Sequence, residues 1–245
     1  MPPSVTYRTV AGVAEIGLPR GPEPLLDERF ACDLLDALER AATDDAVRVV
    51  LIGGRGFCAG LPEPLPPDAE TLVAPVAAVR ALAKPVVAAI GGPAVAEGLE
   101  LALACDIRIA SRAATFAMPQ VVRGRLPVAG GTQYLPRLVP RAVAMEMLLT
   151  GRALGADEAL AVGLVARVVS SDLREAARAL ARDIAGKAPL ASRYCKEAVR
   201  CGADLPLPQA LRLEADLNFL LMTTEDRAEG LRAFFEKRPP RFTGV

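Results

Sequence analysis

Short runs of apolar residues alternate along this chain with longer stretches whose apolar positions return every three or four residues. Residues 13–17, 47–53, 86–90 and 107–110 are brief and apolar, the pattern of buried strands. Between them, residues 27–42 and 71–82 have helical spacing and composition, and a further helix is expected around 141–149. From residue 173 onward the period is helical, over 174–187, 190–200, 207–221 and 224–237. The pattern predicts an α/β core over residues 1–190 and a helical region, 191–245, of the kind that makes subunit contacts. Pro62, Pro64, Pro66 and Pro67 deny residues 62–68 a regular helix or a central strand and mark a loop.

Composition narrows what such a fold can do. With 245 residues, 52% of them hydrophobic, the chain can bury a substantial core and lies at the upper end of single-domain size. Its 29 basic and 29 acidic residues cancel, so no long-range field draws nucleic acid or an anionic membrane, and an anionic ligand must be held locally. The first ten residues lack the charged-then-apolar layout of a secretion signal, and no apolar run reaches the ~18–20 residues of a membrane helix. A cytoplasmic protein is the expectation. Cys32, Cys58, Cys105, Cys195 and Cys201 are odd in number and form no C-x-x-C pair, which argues for reduced thiols rather than a disulfide framework or a zinc knuckle. The absence of histidine is more restrictive: no Ser-His-Asp or Cys-His site and no histidine-ligated metal can be built. No metal site is expected, and proton transfer falls to carboxylates, Lys, Tyr, Cys or water.

Three segments carry candidate chemistry. Gly53-Gly54-Arg55-Gly56-Phe57-Cys58-Ala59-Gly60-Leu61 follows the strand that ends near Ile52. Small residues there let backbone approach a ligand, and successive N–H groups in such a turn bind an anion or a developing oxyanion. No Lys-Ser/Thr follows as in a phosphate loop, and Gly54, Gly56 and Gly60 are spaced one residue too far for a dinucleotide fingerprint. Taken alone, the segment reads more readily as a strand-ending turn than as a site.

The second segment runs from Lys84-Pro85 through a buried strand and Gly91-Gly92-Pro93 into a helix, whose first-turn N–H groups favour negative charge. Glu97 and Glu100, three residues apart, share a face of that helix. Glu100 lies among Leu99, Leu101 and Leu103, too apolar a setting for a solvated acid, and desolvation there moves a carboxyl toward a useful acid/base range. An ion pair with Arg108 or Arg112 explains it equally well. Glu97 needs no more than the helix dipole to explain it. The third segment, residues 118–133, is rich in turns; its Arg123 and Arg125 could hold phosphates, but loop arginines more often face solvent.

Side by side, these segments resemble the enoyl-CoA hydratase/isomerase (crotonase) family, and the likeness runs nearly end to end. It rests on Arg55-Gly56-Phe57-Cys58-Ala59-Gly60, Lys84-Pro85 through Glu100-Leu101-Ala102 to Cys105-Asp106, and Gly130-Gly131-Thr132-Gln133. Ala144-Met145-Glu146-Met147 to Thr150-Gly151, Ala161-Val162-Gly163-Leu164-Val165 and Glu236-Lys237-Arg238-Pro239 to Phe242 complete it. The resemblance implies a spiral of β-β-α units with a C-terminal helical region, assembled as a homotrimer or a dimer of trimers. It also implies an acyl-CoA thioester as substrate, no other cofactor, and two backbone N–H groups that stabilise the enolate-like oxyanion. These donors fall on Leu61 and on Glu97, where the family usually has glycine. A Glu97 side chain that enters the pocket is an additional catalytic candidate. The two glutamates that hold and split water in the hydratases map onto Glu100 and onto position 120, which here is Gln120. An amide cannot exchange a proton at ordinary pH but can still hydrogen-bond a water. The Ala59 carbonyl resembles the family's contact to adenine, and Lys237 the basic residue that approaches the CoA phosphates.

Overall fold

In the computed structural model, residues 4–21, 23–65 and 69–245 are described. Residues 66–68 of the expected proline-rich loop, and the first three residues of the segment read for a secretion signal, lie outside them.

The chain opens with a hairpin, β1 (Thr6–Val10) and β2 (Val13–Gly17), followed by α1 (Glu28–Thr43). The Asp27 carboxylate accepts from the Phe30 N–H at 2.8 Å and caps α1, whose Phe30, Leu34 and Leu38, spaced by four, are buried on one face. β3 (Val49–Gly54) then leads to α2 (Ala69–Leu72) and α3 (Ala74–Ala81). The single helix expected over 71–82 is thus two, because Pro75 lacks the N–H that would continue the ladder across the junction.

Next come β4 (Val86–Ile90), β5 (Pro93–Val95) and α4 (Glu97–Ala104), then β6 (Ile107–Ser111), β7 (Thr115–Ala117) and a 3₁₀ turn (Pro119–Arg123). They are followed by α5 (Gly131–Leu138), α6 (Arg141–Thr150), β8 (Leu154–Gly155), α7 (Ala156–Ala161) and β9 (Arg167–Val169). Four helices end the chain: α8 (Leu173–Ala185), α9 (Pro189–Gly202), α10 (Leu207–Leu221) and α11 (Glu225–Glu236).

The strands form a six-stranded sheet of order β1-β2-β3-β4-β6-β9 and a three-stranded sheet of order β5-β7-β8. β2, β3, β4, β6 and β9 run parallel, with β1 antiparallel at the edge. Successive turns of the chain give one strand to each sheet. β4 continues into β5 and β6 into β7, while β3 runs on to Cys58, which bridges Ala94 in parallel. Repetition of this step stacks the turns into a spiral and lines up the starts of the following helices at one end.

The large sheet is covered on both faces, so its central strands are apolar without alternation. Val50, Ile52, Val86, Ala88 and Ile90 face the main core with α1, α3 and α4. Val49, Leu51, Val87 and Ala89 face Ala177, Ala181 and Ala185 of α8. Among the described residues no helix is long and apolar enough to cross a membrane.

Candidate active site

The site forms where the β3 loop, the start of α4 and the turn after β7 meet. Residues 56–61 are tied down from two sides. Gly56 and Ala59 N–H groups donate to the Gly21 and Pro24 carbonyls, and the Gly60 carbonyl accepts from the Leu26 N–H at 2.8 Å. From the other side, the Val95 N–H donates to the Cys58 carbonyl at 2.9 Å. Gly98 is required for this closeness: a Cβ there would lie 1.9 Å from the Cys58 oxygen. The turn into α4 passes through Ala96 at φ +52° and ψ −121°, a conformation costly for a residue with a side chain, on the order of 1–3 kcal/mol. It brings Glu97, the first residue of α4, beside Gly60; a Cβ on Gly60, itself at φ +97°, would lie 2.9 Å from the Glu97 Oε2.

The loop that carries Leu61 and the start of α4 are thereby brought side by side. The Glu97 N–H heads a helix and has no intrahelical acceptor. The Leu61 N–H donates to the Glu97 Oε2 at 3.0 Å. Glu97, 1% exposed, therefore does more than complement the helix dipole: its side chain turns inward and caps the first of the two donors.

Glu100 is fully buried one turn further along α4. Its Oε1 accepts from the Ala129 N–H at 2.8 Å and the Gly131 N–H at 2.7 Å, while Oε2 is buried with no partner among the described residues. Burial, its largest influence, pushes the carboxyl up to about 7; the neighbouring Glu97 charge adds to this and the Gly131 and Ala129 N–H groups oppose it. One oxygen is held and the other is buried without a protein partner, an arrangement suited to general acid/base work near neutral pH. The ion-pair explanation is set aside by the positions of the arginines. Arg108 donates to the carbonyls of Leu164, Ala102 and Cys105, and Arg112 pairs with Asp157.

Gln120 lies in the 3₁₀ turn, 1% exposed, with neither Oε1 nor Nε2 satisfied among the described residues. A buried primary amide without partners is costly unless a water or ligand meets it. Its segment runs beside Glu97's: Val95 pairs with Ala117 in parallel register, and the Ala96 N–H donates to the Ala117 carbonyl at 2.9 Å.

Other expected residues are less tightly joined. Ala59 sits in the pinned loop, and its N–H goes to Pro24. Lys237 ends α11 in a left-handed cap, exposed, with no hydrogen bond or ion pair to the β3 loop among the described residues. Arg123 and Arg125 both pair with Glu63, at 3.0 and 3.3 Å. No group of three or more Cys, Asp or Glu side chains placed to hold a metal occurs among the described residues. What sequence reasoning missed is the backbone hold on Glu100. In the sequence Gly131 is only one residue of a glycine-rich motif, yet a Cβ there would meet Met118 at 2.8 Å and Pro127 at 2.9 Å, and that close fit brings its N–H to the carboxylate.

Solved structures share this architecture. A 1.8 Å crystal structure of enoyl-CoA hydratase from Bacillus anthracis superposes with a TM-score of 0.94 at 34% identity, covering 99% of this chain and 100% of that one. The fold is thus the crotonase-like spiral with its helical C-terminal region. Residues 8–245 match the profile of the enoyl-CoA hydratase/isomerase family, and the chain belongs to that family. Among its relatives, (E)-benzylidenesuccinyl-CoA hydratase of Thauera aromatica is 42% identical over 98% of this chain and 99% of its own length. 2,3-Dehydroadipyl-CoA hydratase of Escherichia coli (strain K12) is 39% identical over 89% of this chain and 90% of its own.

Proposed function

We propose that the protein is a cytoplasmic enzyme that adds water across the C2–C3 double bond of a 2-enoyl-CoA thioester. The observation that carries this reading is Glu100: fully buried, held through Oε1 by two N–H groups, and unpartnered at Oε2. The N–H groups of Leu61 and Glu97 polarise the thioester carbonyl. Gln120 Oε1 positions a water, and Glu100 takes a proton from it as its oxygen bonds to C3. The displaced π electrons form an enolate on the thioester oxygen, and the proton on Glu100 passes to C2, completing the addition of one water. Preorganised N–H donors are worth about 2.7–4 kcal/mol each in such a step. No cofactor is needed beyond the CoA carried by the substrate. The acyl groups in the names of both relatives above, benzylidenesuccinyl and dehydroadipyl, come from dicarboxylic acids, so thioesters with a distal carboxylate belong in the substrate panel beside crotonyl-CoA.

For the assembly we propose a homotrimer or a dimer of trimers, a reading that family membership supports. Phe219, Phe234 and Phe235, each more than 70% exposed on α10 and α11, supply apolar faces for it. In such an assembly Lys237 approaches the CoA phosphates, from its own or a neighbouring subunit, and the Ala59 carbonyl contacts the adenine.

A second reading, a family member that binds acyl-CoA without turnover, is favoured by one specific observation, the Glu97 carboxylate on the Leu61 N–H. Retained enolate chemistry without hydration, as in a double-bond isomerase or a decarboxylase, is a further alternative that needs only one carboxylate. Gln120→Glu separates these readings. A second carboxyl supplies a proton donor for C2, and kcat/KM for crotonyl-CoA hydration is expected to rise about tenfold, below the ~10²–10⁴ of a fully adapted acid because two close carboxylates repel. A folded Gln120→Glu that binds the thioester and hydrates no faster than wild type counts against hydration as the natural reaction. Binding of every thioester tried, with no turnover by either protein, favours the non-catalytic reading.

A further inference from the structure

We infer that Glu97 is a built-in occupant of the position taken by the thioester oxygen, so that a thioester carbonyl reaches the Leu61 N–H only by displacing it. The inference rests on the acyl-CoA reading above and deepens it. The Glu97 Oε2 stands 3.0 Å from the Leu61 nitrogen, within the space that a carbonyl oxygen must enter to use that donor. The contact is enclosed, with Glu97 1% and Leu61 4% exposed. Its geometry is fixed on both sides, by the pinned 56–61 loop and by the Ala96 turn, so neither backbone can withdraw without breaking the bonds that hold it.

The chemistry decides the consequence. A carboxylate is a stronger hydrogen-bond acceptor than a neutral thioester carbonyl, and a bond to a charged group is worth roughly one to two decades in an equilibrium. A ground-state thioester therefore displaces Glu97 at a cost, whereas an acyl group that gathers negative charge on its oxygen, as an enolate does, competes on equal terms. Gln120 follows the strand paired beside Glu97's and has an unsatisfied Nε2, a donor that an ionised glutamate at position 120 would lack. The changes at 97 and 120 are then one device: the acid covers the donor at rest, and the amide receives the acid when substrate arrives.

Isothermal titration with two probes tests this. Butyryl-CoA has the thioester carbonyl; S-butyl-CoA, its thioether analogue, has none and makes no demand on the Leu61 N–H. Glu97→Gly is expected to tighten butyryl-CoA about tenfold or more while changing S-butyl-CoA less than about twofold. Glu97→Gln keeps the shape, loses the charge and is expected to fall between wild type and glycine, so the proposal stays testable if the glycine variant folds poorly. Equal shifts for the two probes, or no gain for butyryl-CoA in either folded variant, overturn the inference and leave the acyl-CoA reading standing. If neither probe binds wild type or variants that melt cooperatively, the acyl-CoA reading fails and the inference falls with it.

Discussion

Glu100→Gln is expected to lower kcat for hydration by about 10²–10⁴-fold while leaving the affinity for butyryl-CoA close to that of wild type. The amide carbonyl can still accept from the Ala129 and Gly131 N–H groups, so the loop keeps its hold. What is lost is the proton-accepting oxygen, Oε2, which has no protein partner in the wild type. The same variant alters stability in a defined pH window. The carboxyl stands at about 7 in the folded chain against an ordinary 4.5, so between these values the folded chain keeps a proton that the unfolded chain has released. Its contribution to stability is full below about pH 4.5 and is lost as pH rises through about 7. Gln does not titrate, and Glu100→Gln should gain stability relative to wild type across that window, by on the order of 3 kcal/mol. Denaturant titrations at several pH values, read beside steady-state kinetics, check both halves. Parallel pH curves, or a variant that keeps most of its kcat, would remove Glu100 from the proposed role.

Gly98→Ala is expected to have the largest structural effect of any single methyl group in the site. Its Cβ would stand 1.9 Å from the Cys58 oxygen and 2.6 Å from the Cys58 carbonyl carbon. Both are backbone atoms of a loop pinned through Pro24, Leu26 and Val95. Neither side has a flexible side chain that can give way, so the loop carrying the Leu61 N–H must shift. A loss of roughly 3 kcal/mol follows from overpacking of this kind, and displacing a donor by about 1 Å lowers kcat by about 10²-fold. Gly155→Ala is the matched control, since its Cβ meets nothing within 4 Å. Urea midpoints and crotonyl-CoA turnover of the two variants should separate clearly. Indistinguishable behaviour would show that the close approach of α4 to the loop does not position the donor.

Where the sequence was legible, a long apolar run or a period in side chains made it so. The strands at residues 13–17 and 86–90 and the helix at 207–221 match the sequence reading to the residue, because each has a mostly apolar run or a full helical period. β5 and β7, which aim the site, are three residues each, too short for any period to register, and β1 is an edge strand with mostly exposed side chains. The same limit applies within the site. Glu100 stood out as an acid in an apolar stretch, and its freedom from Arg108 could be learned only from where Arg108 finds its three carbonyls. The inward turn of Glu97 depends on a positive φ at Ala96, a residue type that gives no hint of one.

Addition of water to an enoyl thioester at this site can be followed by incubating the protein with crotonyl-CoA in water labelled with heavy oxygen and deuterium, then analysing the product by mass spectrometry and NMR. The expected product is a 3-hydroxyacyl-CoA carrying solvent oxygen at C3 and solvent hydrogen at C2, formed by wild type and at least about 10²-fold more slowly by Glu100→Gln. Deuterium entering the acyl chain without oxygen at C3, or no label at all from a folded protein that binds the thioester, would contradict it.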